Sequence, residues 1–130
     1  MRKQARELAF KLIFERLFVK ENYSFDEEFF AVINKQENRD FAKELVVKFE
    51  QHRTEIEEKV SANLVGYSIN RVYKIDLALI FLAVTEMSYF ETPHQVVINE
   101  VVELSKQFST EKSSRFINGV LSAIVKGKND

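Results

Sequence analysis

Two groups of residues could do chemistry. Arg2, Lys3 and Arg6 stand together at the front of the chain, and Phe108, Lys112, Arg115 and Phe116 fall close together near its end. The chemistry on offer is the binding of an anion. Guanidinium and ammonium groups attract negative charge over a distance. The second group lies where one helix gives way to the next, so free backbone N–H groups join two cations and two aromatic rings. Plainer readings stand beside this one. A helix dipole disfavours cations at its N-terminus, so the front cations gain nothing locally and suit a solvated basic face. Phe108 continues the apolar row of its own helix, and Phe116 is in register with Val120 and Ile124, so either ring could equally close a core. Lys112 and Arg115 have no apolar register and belong in solvent.

No catalytic constellation accompanies these groups, and the chain does not read as an enzyme. Its three glycines are scattered, so none builds a phosphate-cradling loop, and there is no cysteine nucleophile. His52 and His94 are in no motif with a serine and an acid. His52 lies on an apolar helix face with no second ligand at metal-site spacing, which describes a packed histidine. Asn99 and Glu100 follow His94 on one helix, where bonds to neighbouring backbone groups are their ordinary role. No cofactor is expected.

Helices must hold the two groups in place. From residue 2 to about 20 nothing breaks a helix, and Ala5, Leu8, Ala9, Leu12, Ile13 and Leu17 share one face. Phe10 and Phe14 continue the four-residue row from Arg2 and Arg6; such rows more often pack into a core than form a contact surface. Ser24 with Glu27 reads as a capping box, opening a short helix with Phe25, Phe29 and Ile33. After a polar loop, Phe41, Leu45, Phe49, His52, Ile56, Val60 and Leu64 keep helical spacing, which predicts one long helix over about 39–64. Thr54 and Glu57 mark an alternative break. Gly66 suits the left-handed turn that follows.

Residues 67–74 form a short connection with room for one helical turn. Residues 75–90, IDLALIFLAVTEMSYF, are apolar on nearly every face, as in a helix surrounded by others. Asp76 near its start complements the dipole; Glu86 is either at an exposed edge or hydrogen-bonded. Thr92 reads as the next N-cap, with Pro93 at the first helical position and Gln95 completing a capping box. Val97, Val101, Leu104 and Phe108 carry that helix. After Ser109 and Thr110 a second period begins with Phe116, Val120 and Ile124, flanked by Ile117 and Leu121. Gly119 costs about 1 kcal/mol within a helix, which predicts a neighbouring helix crossing closely there. No strand alternation and no internal repeat occurs. The sum is an all-α chain, one domain over 1–130, with six or seven helices around a phenylalanine-rich core.

Composition narrows the partners. The net charge is -1, but residues 1–20 hold six basic and two acidic side chains, residues 21–60 six and eleven, and residues 101–130 five and three. Both ends are basic and the middle is acidic, so an anionic partner meets the ends despite a pI of about 6.2. The absence of cysteine excludes a disulfide framework and fits a reducing, intracellular and cytoplasmic home. Nothing reads as a signal peptide, and the longest apolar run is far short of a membrane span.

Three segments carry a resemblance to a known family: RKQARELAFKLIFERLF at the front, RVYKIDLALIFLAVTEM in the centre, and TPHQVVINEVVELSKQFSTEKSSRFINGVL near the end. Together they resemble the NusB family of bacterial transcription antitermination factors, nearly end to end. INE, VELSKQF and FINGVL occur in the family's order and spacing. The resemblance implies a helical RNA-binding adaptor with no catalytic role. With a small-subunit ribosomal protein, NusE, it would bind the single-stranded boxA element of ribosomal RNA leaders and help hold RNA polymerase in a termination-resistant antitermination complex.

The same resemblance implies RNA contacts from Arg2, Lys3, Arg6, Phe108, Lys112, Arg115 and Phe116, and a ribosomal-protein surface at Phe14 and Asp76. One continuous RNA track over both basic groups requires the first helix to start beside the 109–110 joint. Two departures concern affinity and sequence preference. Lys3 and Gln4 stand where family members often have a denser arginine run, and Lys112 stands where some carry an acid, which favours RNA. A homodimer that hides the basic face is left open. Two alternatives are the NusB-like domain of a ribosomal RNA methyltransferase and a helical interaction module without RNA function. If Asp130 is the natural end of the chain, no methyltransferase domain follows.

Overall fold

The computed structural model describes residues 2–19 and 27–128. Six α-helices follow one another: α1 Arg2–Arg16, α2 Gln36–Gln51, α3 Arg53–Ser61, α4 Lys74–Tyr89, α5 His94–Phe108 and α6 Glu111–Lys128. Two 3₁₀ turns, Glu27–Phe30 and Ile69–Arg71, fill connections, and no strand occurs among the described residues. The fold is all-α, as the periodicity predicts. No described helix is long and apolar enough to cross a membrane. Ser24 and Phe25 lie outside the described residues, as does the side chain of Glu27, so the capping box expected there does too.

The centre is α4. Every residue from Asp76 to Met87 is buried, and α4 packs against all five other α-helices. That surround is why its sequence shows no polar face: no side of it meets water. Phe81 stacks on Phe49 of α2 with ring centroids 5.4 Å apart, and Phe41 meets Phe90 edge-on at the same distance.

One buried charge interrupts this apolar helix. Glu86 is fully buried and takes both arms of the Arg6 guanidinium, Nε to Oε1 and Nη2 to Oε2, each at 2.7 Å. Of the two roles open to Glu86, the hydrogen-bonded one holds. Burial alone works to lower the Arg6 pKa; the hydrogen bond and charge of Glu86, with the charge of Glu100, outweigh it and hold the pKa above its ordinary value. The pair fastens α1 across α4 with a fixed register, because a bidentate fork tolerates little sliding. Arg16 makes a second buried pair with Glu50 at the other end of α1, and Arg53 donates to the Arg16 carbonyl at 3.1 Å.

Three expectations about helix boundaries are corrected. The long helix over 39–64 is two helices, broken at His52 (φ -118°, ψ 21°). The break spans one residue, so the apolar register runs through it and leaves no gap in the pattern. Phe41, Leu45 and Phe49 before it, and Ile56 and Val60 after it, all remain buried. The His52 ring stacks on Tyr89 of α4, 4.0 Å between centroids. Thr92 is not the cap of α5: the helix starts at His94 with Pro93 at the cap position and no side-chain cap bond. The Pro93 carbonyl accepts from Val96 and Val97, while Gln95 turns forward to donate to Asn99 at 2.8 Å. Gly119 is exposed with open space where a side chain would stand, so no helix crosses there. Gly66, at φ 87°, takes the left-handed turn expected of it.

Breaking the Arg6–Glu86 pair from one side leaves a buried charge unpaired. Glu86→Ala is expected to cost about 3–5 kcal/mol in unfolding free energy, whereas Arg6→Met with Glu86→Leu stays near neutral. Urea denaturation of the two variants beside the parent measures both.

Candidate functional site

The joint between α5 and α6 is built by hydroxyl groups. Thr110 caps α6 with its Oγ1, which accepts the Ser113 N–H at 3.0 Å. One N–H expected to be free is therefore already used. Ser105 and Ser114 share a bond at 2.6 Å across the joint, and the Ser109 hydroxyl donates to Asp76 Oδ1 at 2.7 Å. Short side chains allow the two helices to meet closely, and each bond removes a way for the joint to flex. Lys112 and Arg115 stand exposed on the first turns of α6. Arg115 has a surface pair with Glu111 at 3.4 Å, the kind that contributes little. No ion pair engages Lys112 among the described residues.

Phe108 and Phe116, open between core and contact in the sequence, are both half-buried. Phe108 packs on Phe10 of α1 with centroids 5.3 Å apart. Phe116 leans on Tyr67, 6.0 Å away. Each is anchored by one side and shows an edge.

The front cations divide. Arg2 and Lys3 are exposed, with the Arg2 guanidinium 4.0 Å above the Phe41 ring. Arg6 is only 6 % exposed and is committed to Glu86. It therefore supports the surface from beneath. The joint does not sit beside the start of α1. It sits beside Phe10 and Lys11, whose Nζ lies 5.5 Å over the Phe108 ring. Arg2 and Lys3 stand roughly 12 Å further back along the helix, at 1.5 Å per residue.

Lys11 is the residue that sequence reading missed. It is exposed, pairs loosely with Glu7 at 3.1 Å, and lies along α1 between the front cations and the joint. The signal was available in the Lys3, Glu7, Lys11 row of four-residue spacing on the polar face.

Phe14 is half-buried, with its ring 5.2 Å from that of Phe18, which is 63 % exposed. It is neither a full core residue nor a free one: it walls an aromatic edge at the end of α1. Asp76 is different. It is buried, 3 % exposed, and held by Ser109, so it shares no open surface with Phe14. It borders a cleft of about 590 Å³ beside the joint, together with Tyr67, Arg71, Tyr73, Lys112 and Phe116.

Known proteins share this fold and sequence. The NusB family model matches residues 3–126. The transcription antitermination protein NusB of Finegoldia magna is 38% identical, over 99% of this chain and 96% of its own length. That of Clostridium novyi is 35% identical, over 96% and 98%. That of Acaryochloris marina is 42% identical, over 76% of this chain but 48% of its own length, so the chain matches about half of that relative. Among solved structures, T. maritima NusB superposes with a TM-score of 0.83 at 26% identity, over 97% of this chain and 91% of that one. NusB crystallised with NusE and double-stranded RNA gives a TM-score of 0.84 at 30% identity, over 97% and 96%. With the family model matched across almost its whole length, the chain belongs to the NusB family.

Proposed function

We propose that this chain is an RNA-binding transcription antitermination factor that works with the small-subunit ribosomal protein NusE. The observation that carries the reading is the coincidence of two things: the likeness to a NusB held with NusE and RNA, and a basic face that runs along α1 to the α5–α6 joint. The RNA is the boxA-type single strand of ribosomal RNA leaders. Arg2, Lys3, Lys11, Lys112 and Arg115 neutralise its phosphates, while the edges of Phe108 and Phe116 offer stacking to splayed bases. Arg6, held by Glu86, keeps the Arg2–Lys3 turn in place beneath the strand. The basic face is small, so the protein alone binds weakly, and a ribosomal partner that extends the track raises affinity through effective concentration.

The partner surface is the aromatic edge of α1, Phe14 with Phe18. A 63 % exposed phenylalanine beside a half-buried one is apolar area that gains from being covered. Asp76 joins this surface only indirectly, through the joint it holds.

Filter binding with boxA-containing and scrambled RNA, with and without the ribosomal protein, tests the reading. Sequence preference that appears only with boxA, and strengthens with the partner, is the expected result; equal retention of both RNAs leaves only an unspecific cation surface. Three to five phosphate contacts imply a slope of log affinity against log salt of about -2 to -3.5 for a single strand. Lys112→Glu with Arg115→Glu is expected to abolish RNA binding and shift stability by no more than about 0.5 kcal/mol, since both are exposed. Phe14→Ala is expected to weaken the heterodimer by about 2 kcal/mol or more, read by titration calorimetry. An unchanged heterodimer with a lowered melting temperature would return Phe14 to the core.

A further inference from the structure

The cleft beside the joint has a composition that neither the phosphate track nor the α1 edge accounts for. Its volume of about 590 Å³ is in the range of small-ligand sites, roughly 300–1,000 Å³. Arg71 and Lys112 border it and are exposed, as is Tyr73, which is 78 % exposed with a free ring face. Tyr67 and Phe116 form an aromatic wall, their centroids 6.0 Å apart. Asp76 is the buried member of this lining, and its carboxylate is oriented by the Ser109 hydroxyl on Oδ1. Burial, and the Asp76 charge nearby, hold the Tyr67 phenol above its usual pKa. No lysine or arginine pairs with Asp76 among the described residues.

Each feature narrows the occupant. A buried carboxylate repels a phosphate, so an anion belongs at the rim with Arg71 and Lys112. Those same cations disfavour a lysine or arginine side chain as the guest. What remains is a flat, neutral group that stacks on a ring and presents N–H donors, attached to a phosphate outside. That is a nucleobase of a single strand. We propose that this cleft holds one extruded base of the bound RNA and that Asp76 selects guanine.

The selection follows from donor and acceptor patterns. An ionised carboxylate only accepts hydrogen bonds, and its two oxygens match two adjacent donors. Guanine presents N1–H beside N2–H₂. Uracil presents one N–H between two carbonyl oxygens, both of which the carboxylate repels. Adenine and cytosine offer an amino group next to a ring acceptor, so only one bond forms. Tyr73 supplies the stacking face and Lys112 the phosphate contact. This rests on the RNA reading above and adds a base preference to it.

The test compares an all-uridine octamer with the same RNA carrying a single guanosine at its centre, using fluorescence anisotropy at several salt concentrations. The guanosine RNA is expected to bind about 10-fold tighter, the size of one bidentate base contact, and inosine, which lacks the 2-amino group, to fall between. Asp76→Asn keeps an oxygen for Ser109 but replaces an acceptor by a donor. It is expected to remove the guanosine preference while leaving the salt slope unchanged. Tyr73→Ala, an exposed change that leaves the core intact, is expected to narrow the gap between the two RNAs even if Asp76→Asn folds poorly. Equal binding of both RNAs with a steep salt slope overturns the pocket and leaves the RNA reading standing. No binding of either RNA at low salt overturns both. A preference that survives Asp76→Asn, with docking of the ribosomal protein weakened instead, assigns the cleft to a protein side chain and overturns the proposal.

Discussion

The two-armed bond between Arg6 and Glu86 decides where the first helix lies. Apolar faces alone would let α1 slide or rotate on α4, since α4 is hydrophobic all round and offers equivalent grooves. A carboxylate that is fully buried on α4 has one tolerable solution, a cation at a fixed height. Once Arg6 is there, Phe10 falls against Phe108, Lys11 over its ring, and Arg16 against Glu50. The basic face is therefore a by-product of a register set from inside the molecule. Removing water from these two charges is costly, and uniqueness of packing is the return on that cost.

Much of this was legible in the residue pattern. The unbroken apolar run of α4 announced a central helix, and the row Val97, Val101, Leu104, Phe108 gave α5 and its end. The legible part is what burial writes at regular spacing. The failures share a cause: they concern features that leave spacing untouched. A break of one residue at His52 does not disturb the apolar register, so α2 and α3 read as one helix. Arg6 was counted with Arg2 and Lys3 because charge is visible in a sequence and its partner 80 residues away is not. Lys11 was passed over because the eye follows clusters, whereas a helix face joins residues four apart. Thr92 had the chemistry of a cap, but Pro93 took the position and the helix began one residue later.

The hydroxyl cluster at the α5–α6 joint shows how a binding surface can be firm without bulk. Thr110, Ser113, Ser105 and Ser114 are small and tie the turn through side chain and backbone alike. Lys112 and Arg115 sit on this braced turn, so their backbones give up little freedom when an anion arrives. Long side chains supply reach, and the turn beneath them supplies aim.

The span of the Arg6–Glu86 bond also governs how the chain comes into being on the ribosome. The two residues are 80 positions apart, and synthesis proceeds at about 5–20 residues per second, so α1 leaves the ribosome roughly 4–16 s before its anchor exists. Through that interval α1 has a basic end, an apolar stripe and no carboxylate to receive its guanidinium. The N-terminal segment must wait, solvated or loosely collapsed, until the central helix is made. The domain can close only when its most apolar segment arrives, more than halfway along the message.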